Sequence, residues 1–367
     1  MNQVTLIRQR IIHQRLLETD LTRPDEVVGW LGAVQSQDYE GAKWALGLRA
    51  PALTAASVDA AFDAGEIPRT HVMRPTWHFV LPEDLRWMLA LTAPRLNRKM
   101  ATYDRRLELD EDVYARSNAV IRAALEGGKS LTRQELAGKL RGAGIEPGGV
   151  QRLAHLMMRA EQDAVICSGP KRGKQFTYAL LDERLTGPQR RLQGEEAVAE
   201  LARRYFQSHG PATLHDFSWW SGLTVADGRA AVALLRPQLE QVDLDGRTYY
   251  FPHSEDGSGW RSPVVHLLPN YDEAVGSYAD HDFSTDTRYR QAWEDSYGPG
   301  FRQYSHLLLV DGLLVGVWRR APRKNGLEIG LRPFGALAPE ETQAIRGAAA
   351  RYAAFLGSPV DIIFENP

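Results

Sequence analysis

Leu6, Ile7, Ile11, Leu16 and Leu17 fall at the three- and four-residue intervals of an amphipathic helix over residues 5–19. Thr22-Arg23-Pro24-Asp25 then gives a helix start, with proline in the first turn, where its missing N–H would have had no partner anyway. The helix it opens carries Val27, Val28, Trp30, Leu31 and Val34. It delivers Gln35-Ser36-Gln37 near its end or at the start of the next helix. Ala42 to Leu48 and Ser57 to Ala64 read as two more helices, the second closed by Gly65. Then the texture switches: Ile67 to Val72 and Thr76 to Val80 form short strands around Met73-Arg74-Pro75. Short helices followed by a two-stranded hairpin make the pattern of a winged helix, a helix-turn-helix variant.

The pattern recurs. Val113 to Leu125 is a helix, and Thr132 with Glu135 forms a capping box that opens a second, closed by Gly142 and Gly144. Val150 to Asp163 is a third, with Leu153, Leu156, Met157 and Ala160 on one face. Strands from Ala164 to Ser168 and from Gln175 to Leu180 follow, joined by a basic turn. The order comes once more in helices over 195–208, 213–220 and 225–235 and strands over 239–244 and 248–251. Asp245-Gly246 supplies a type I′ turn between those strands. The last hundred residues differ. Strands over 264–269, 307–310, 313–319 and 327–331, a helix over 339–356 and a terminal strand over 361–364 predict an α+β module. Asp311-Gly312 and Asn325-Gly326 mark its tight turns.

The expected fold is therefore α+β, with tandem winged-helix motifs and a C-terminal antiparallel β-rich module. The expected units are 1–112 with the Gln-Ser-Gln segment, 113–190 with a basic wing, 191–262 as a third winged helix, and 263–367. Three such motifs in tandem suit nucleic-acid binding, although winged helices also serve as protein-interaction modules.

Composition narrows this further. A hydrophobic content of 43% and a charged content of 25% are those of a globular chain. No apolar run approaches the roughly 20 residues a membrane span needs, and the N-terminus lacks the apolar core of a secretory signal. The single cysteine, Cys167, excludes an internal disulfide and a thiolate metal cluster; it reads as a buried structural thiol, and the chain as cytoplasmic and nucleoid-associated when bound to DNA. The net charge of −2 argues against a uniformly basic nucleic-acid binder but leaves room for local basic surfaces. Arg95, Arg98, Lys99, Arg105 and Arg106 form one, Lys171, Arg172 and Lys174 a second, and Arg319, Arg320, Arg323 and Lys324 a third. The last lies at a hairpin that contains Pro322 and has the size to enter a DNA groove.

Gln35 and Gln37 are never charged, so neither is a strong acid, a strong base or a good metal ligand. Each offers one acceptor oxygen and two donor hydrogens, and two amides side by side can orient a water. With Met73-Arg74-Pro75-Thr76-Trp77-His78-Phe79 and Leu267-Leu268-Pro269-Asn270-Tyr271-Asp272-Glu273 in the same order, the chain resembles the winged-helix DNA glycosylases typified by AlkZ and YcaQ. The Gln-x-Gln form looks like the AlkZ branch; the other branch has aspartate in the second position. The resemblance covers nearly the whole chain. It implies a concave DNA-binding surface, excision of N7-alkylated purines, unhooking of interstrand crosslinks, no metal or organic cofactor, and Gln35 and Gln37 as catalytic residues.

The chemistry is consistent with that role. An N7-alkylated guanine is already cationic and leaves as a neutral base without a general acid, so water delivered to an oxocarbenium-like sugar completes the reaction. Asp38, His78 and Asp272 are candidate supporting groups. Asp38 ranks below the glutamines because a neighbouring position on a helix points about 100° away. Arg74, Arg98, Lys99, Lys171, Arg172, Lys174 and the third basic cluster are candidate DNA contacts. The partner expected is double-stranded DNA with alkylated or crosslinked guanine, bound by a monomer with no membrane association. The alternative is a non-enzymatic winged-helix regulator.

Overall fold

The computed structural model describes residues 2–253, 259–280, 286–297, 306–324 and 326–365. It is a mixed α+β structure in which one topology occurs three times before the C-terminal sheet. The first helix, α1 (Gln3–His13), stops earlier than its hydrophobic pattern suggests. Arg15 turns left-handed at φ 57°, and the Leu16 amide returns 3.0 Å to the Ile11 carbonyl, closing the helix end.

The first copy runs α2 (Pro24–Leu31), β1 (Val34–Gln35), α3 (Tyr39–Arg49), α4 (Ala55–Ala64), β2 (Arg69–His71) and β3 (Trp77–Phe79). Helix α2 ends at Gly32, whose φ of 81° redirects the chain. Gln35 therefore lies beyond the helix in β1, and Gln37 in the bend before α3. Next comes α5 (Leu85–Arg106), a 22-residue helix with Pro94 inside it that local pattern does not announce. Burial of Leu85, Trp87, Met88, Leu89, Ala93 and Leu96 holds it together despite the proline.

The second copy has α6 (Glu111–Leu125), β4 (Leu131–Thr132), α7 (Arg133–Gly142), α8 (Val150–Gln162), β5 (Ile166–Ser168) and β6 (Thr177–Leu180), followed by the single turn α9 (Leu181–Arg184). The third has α10 (Gly194–His209), α11 (Leu214–Ser221), α12 (Val225–Leu235), β7 (Glu240–Leu244) and β8 (Arg247–Phe251). In each copy a short extended segment before the middle helix pairs with the second strand of the hairpin. Val34 and Gln35 pair with β3, Leu131 and Thr132 with β6, and Ala212 with Tyr250 of β8. The middle helices begin at capping residues Asp38, Thr132 and Thr213. Asp245 and Gly246, at φ 51° and 74°, form the turn of the third hairpin.

The C-terminal part contains β9 (Val265–Leu268), α13 (Glu273–Gly276), α14 (Arg290–Tyr297), β10 (His306–Val310), β11 (Leu313–Arg323), β12 (Gly326–Pro333), α15 (Pro339–Leu356) and β13 (Val360–Phe364). Its five-stranded sheet has the order β13-β12-β11-β10-β9. All pairings are antiparallel except β12–β13, where α15 provides the crossover that a parallel pair requires. Strand β11 runs four residues beyond the expected Arg319, with Arg323 opposite Gly326. Asn325 of the expected turn lies outside the described residues.

This sheet does not stand apart. One hydrophobic core joins Val27, Val34, Trp44, Phe62 and Phe79 of the first copy to Leu267, Trp318, Ile329, Tyr352 and Phe355. Trp44 packs its ring 4.8 Å from that of Tyr352 and donates Nε1–H to the Leu267 carbonyl at 2.7 Å. A Cβ at Gly47 would come within 2.6 Å of the Phe355 ring, so glycine is what lets α3 approach α15. A second core gathers the third copy with α5, and a third fills the second copy. Cys167 is fully buried, and burial pushes its thiol up to about 12.

Candidate active site around the Gln-Ser-Gln strand

Gln35 lies opposite His78 in the β1–β3 pair, and Ser36 N donates to the Trp77 carbonyl at 2.7 Å. Strand β1 ends at Gln35, and Gln37 lies two residues on, in the bend that leads into α3, so the pair does not share a helix face. The two differ in setting. Gln35 is 7% exposed, whereas Gln37 is exposed and accepts from Trp77 N at 3.4 Å. Arg69 clamps the turn between them with two bonds to the Ser36 carbonyl, at 2.8 and 3.0 Å.

Gln35 is held at both ends. Its side-chain Oε1 accepts from Arg74 Nη2 at 2.9 Å, and its backbone N–H donates to Glu273 Oε1 at 2.7 Å. Glu273 is 1% exposed and also accepts from Trp220 Nε1 at 3.2 Å and from Ser277 Oγ. Burial alone would raise this carboxyl. His209 Nε2 at 3.5 Å, the Arg74 guanidinium and the Gln35 amide outweigh burial and bring it down to about 2. Glu273 is thus a buried anion fixed against the glutamine strand.

Behind it lies a second buried layer. Arg49 grips Asp272 with two bonds of 3.0 and 2.8 Å, and its Nη2 also reaches Gln14 Oε1 at 2.7 Å. Gln14 Nε2 in turn donates to the Glu273 carbonyl and to Tyr278 Oη. Arg49 is fully buried and Asp272 is 3% exposed, so the pair is a dry salt bridge that anchors α3 to the segment carrying Glu273. Asp272 also caps α13 through the Ala274 amide.

Asp38 is not one step around a helix from Gln37; it is the residue that starts α3, accepting from Gly41 N at 3.2 Å. His78 is fully buried, with Nδ1 2.9 Å from the Thr76 carbonyl and Nε2 without a partner among the described residues. Burial, reinforced by Arg74, lowers its pKa to about 3, so the ring is neutral at physiological pH.

Residues 28–355 match the family of AlkZ-like DNA glycosylases. The chain belongs to that family. An interstrand DNA cross-link repair glycosylase from Streptomyces sahachiroi is 25% identical over 327 residues, 83% of this chain and 85% of that protein. The solved structure of the Streptomyces sahachiroi DNA glycosylase AlkZ superposes with a TM-score of 0.79 at 22% identity, covering 99% of this chain and all of that one. Membership of a glycosylase family disfavours the non-enzymatic regulator.

In this AlkZ-like chain the structure brings Gln35, Arg74, His78 and Glu273 together, with Asp272 one residue behind. Glu273 stands in the third sequence motif but was not among the candidate site residues. Sequence reasoning did not anticipate Arg49 or Arg69, two arginines in helical and strand runs with nothing local to mark them. The basic candidates fall into different settings. Arg98 and Lys99 are exposed on α5. On the second hairpin, Lys171 pairs with Asp59 and Arg172 with Glu135 at 2.8 Å, while Lys174 is exposed. On the β11–β12 hairpin, Arg319 pairs with Glu365 at 2.6 Å, Arg323 with Glu328, and Arg320 donates to Tyr352 Oη at 3.0 Å; Lys324 is exposed. Among the described residues no cluster has the makings of a metal site, and no helix is long and apolar enough to cross a membrane.

Proposed function

We propose that this AlkZ-like glycosylase is monofunctional and hydrolyses the N-glycosidic bond of cationic N7-alkylguanine, including the two bonds that tie an interstrand crosslink. The observation that carries the reading is the pair of amides at the end of β1, Gln35 on the strand and Gln37 in the bend that follows. Gln35 is fixed by Arg74 and Glu273, and Gln37 is open to solvent two residues on. Water adds to C1′ while the N9–C1′ bond breaks; the bonding pair goes to the purine, which leaves neutral, and the proton passes to solvent. The amides orient the water and do not deprotonate it. General-base help is commonly worth ~10²–10⁴-fold, so an enzyme that forgoes it acts only on a leaving base that already carries charge. The Streptomyces relative is named for crosslink repair, which fits this restriction.

The three repeated units are taken as tandem winged helices within 1–112, 113–190 and 191–262, with 263–367 covering the first. Arg98, Lys99, Lys174 and Lys324 stand exposed for phosphate, and the β11–β12 hairpin is the candidate for groove insertion. Electrostatic contact of this kind makes binding salt-dependent.

The test is base release from duplexes carrying N7-methylguanine and from a crosslinked duplex, by wild type, Gln35→Ala, Gln37→Ala and Asp38→Asn. Release by wild type and loss in both glutamine variants support the reading. No release from either substrate removes the proposed reaction, and full activity in both glutamine variants removes the assigned site. Loss in Asp38→Asn beside a fully active Gln37→Ala transfers the water to the aspartate.

A further inference from the structure

A cavity of about 470 Å³ lies where the chain after α1, the helices α3 and α15 and the start of β9 meet. None of its lining residues belongs to the Gln-Ser-Gln site. Small residues on α15 leave the space open: Ala344, Gly347 and Ala354 fall on one helix face, with Arg351 among them. A Cβ at Gly347 would meet nothing within 4 Å. Trp44, Leu48 and Phe355 supply an apolar wall. The volume is that of a site for a small organic molecule.

The charges around it are of one sign. Arg15, Arg261 and Arg351 line it, and among the described residues no aspartate or glutamate does. Arg351 donates Nη2–H to the Val265 carbonyl at 3.0 Å and meets no carboxylate among the described residues. Partial burial lowers its pKa with nothing to offset it, a cost that a bound anion would relieve. His266, 3% exposed, adds a directional group. Its Nε2 lies 2.8 Å from the Leu16 carbonyl, which can only accept, so the ring proton is assigned there. Nδ1 is then a buried acceptor with no partner among the described residues. Burial holds the ring's pKa down at about 4, so Nδ1 carries no proton of its own at neutral pH. A buried acceptor left open in this way calls for a donor from outside the chain.

We propose that this cavity binds a small organic anion. Its carboxylate or similar oxyanion is held by Arg351 in the field of Arg15 and Arg261, its apolar body lies against Trp44 and Phe355, and its O–H or N–H donates to His266 Nδ1. A guanidinium fork suits an oxyanion, and a bond between two charged groups is stronger than one between neutral groups. The site is separate from the proposed base release and does not depend on it. Duplex DNA is the other anion this chain is read as meeting, but a phosphate backbone has no apolar body to cover the Trp44 and Phe355 wall.

The test uses indole-3-acetate, which joins a carboxylate, a flat apolar body and an N–H donor, followed by ligand-detected NMR with the whole chain. Wild type should bind it saturably with a Kd of about 1 mM or tighter, the level a ligand of this size reaches. The methyl ester, which lacks the charge, should bind about ten- to a hundredfold more weakly. The 1-methyl derivative, which lacks the donor, should bind about two- to tenfold more weakly. Arg351→Met should cost as much as the ester does. Gly347→Leu, a change that the helix favours, should fill the space and abolish binding. Both variants alter exposed positions and should keep the wild-type unfolding midpoint. No saturable binding up to about 10 mM overturns the proposal. So does equal binding of acid and ester, of acid and 1-methyl derivative, or of the acid by wild type and Arg351→Met. Displacement of the acid by unmodified duplex also overturns it, because the cavity would then be part of a DNA-backbone surface.

Discussion

Gln35 sits among buried charges, with Glu273 on its backbone and the Arg49–Asp272 pair behind, while Arg319, Arg323 and Lys324 stand in water at the end of β11. Both regions are rich in polar groups, yet burial gives them opposite properties. Removing one member of a dry pair leaves an uncompensated charge that water cannot reach. Removing one member of an exposed pair loses an interaction that solvent and salt had already weakened. The first arrangement holds a side chain in one geometry, which orienting a water demands. In the second, Arg319 pairs with Glu365 in solvent and Lys324 stands exposed, while Arg323 is tied to Glu328, a carboxylate that is itself buried.

The sharpest way to break this contrast is to empty the dry pair. Arg49→Leu should lower unfolding stability by about 3–5 kcal/mol in urea titration, because Asp272 loses its counter-charge. A loss below about 1 kcal/mol would mean that solvent reaches the pair. Next in size is Gln35→Ala, which should slow N7-methylguanine release about 10²-fold in single turnover, the cost of misplacing a reacting group. Gln37→Ala should give a comparable loss of rate with a stability change within about 0.5 kcal/mol, since that side chain is exposed.

The buried site should also make stability fall in acid. His78 has a folded pKa near 3, so below its ordinary value of 6.5 the unfolded chain takes up a proton that the folded chain refuses. Unfolded chains then hold more protons, and stability falls with pH from 6.5 down to 3. At pH 5 the His78 share is about 2 kcal/mol. The Glu273 carboxyl, lowered from 4.5 to about 2, adds a further loss only between those values. His266, lowered by burial to about 4, acts in the same upper window. Unfolding free energies at pH 7 and pH 5 for wild type and His78→Gln should differ by that share; an equal drop in both excludes a buried neutral ring. The smallest effect is expected at the hairpin. Lys324→Ala should leave stability unchanged within about 0.5 kcal/mol and reduce the slope of log K against log salt by about one. An unchanged slope would place the hairpin away from phosphate.

Much of this contrast was hidden in the sequence, and the reasons are local. The threefold order of helices and hairpin was legible because caps such as Thr132 with Glu135 and turns such as Asp245-Gly246 act within a few residues. The strand placement of Gln35 was not. Val34 completes an apolar run that reads as helix, and only Gly32 at φ 81°, with β3 waiting to pair, diverts the chain. Helix α5 was missed because Pro94 looks like a stop, and packing against the second core overrides it.

The sequence by itself determined the repeat order, the tight turns, the helix over 339–356 and the identity of the two amides, since these follow from periodicity and backbone chemistry at short range. Tertiary structure alone decided which groups the amides meet. Glu273 reaches Gln35 across 238 residues, and Arg49 reaches Asp272 across 223. Those contacts exist because α3 packs on α15 and the C-terminal sheet closes over the first repeat. A carboxylate that looks like any acidic residue in the chain becomes a fixed anion only after water has been excluded from both sides of it.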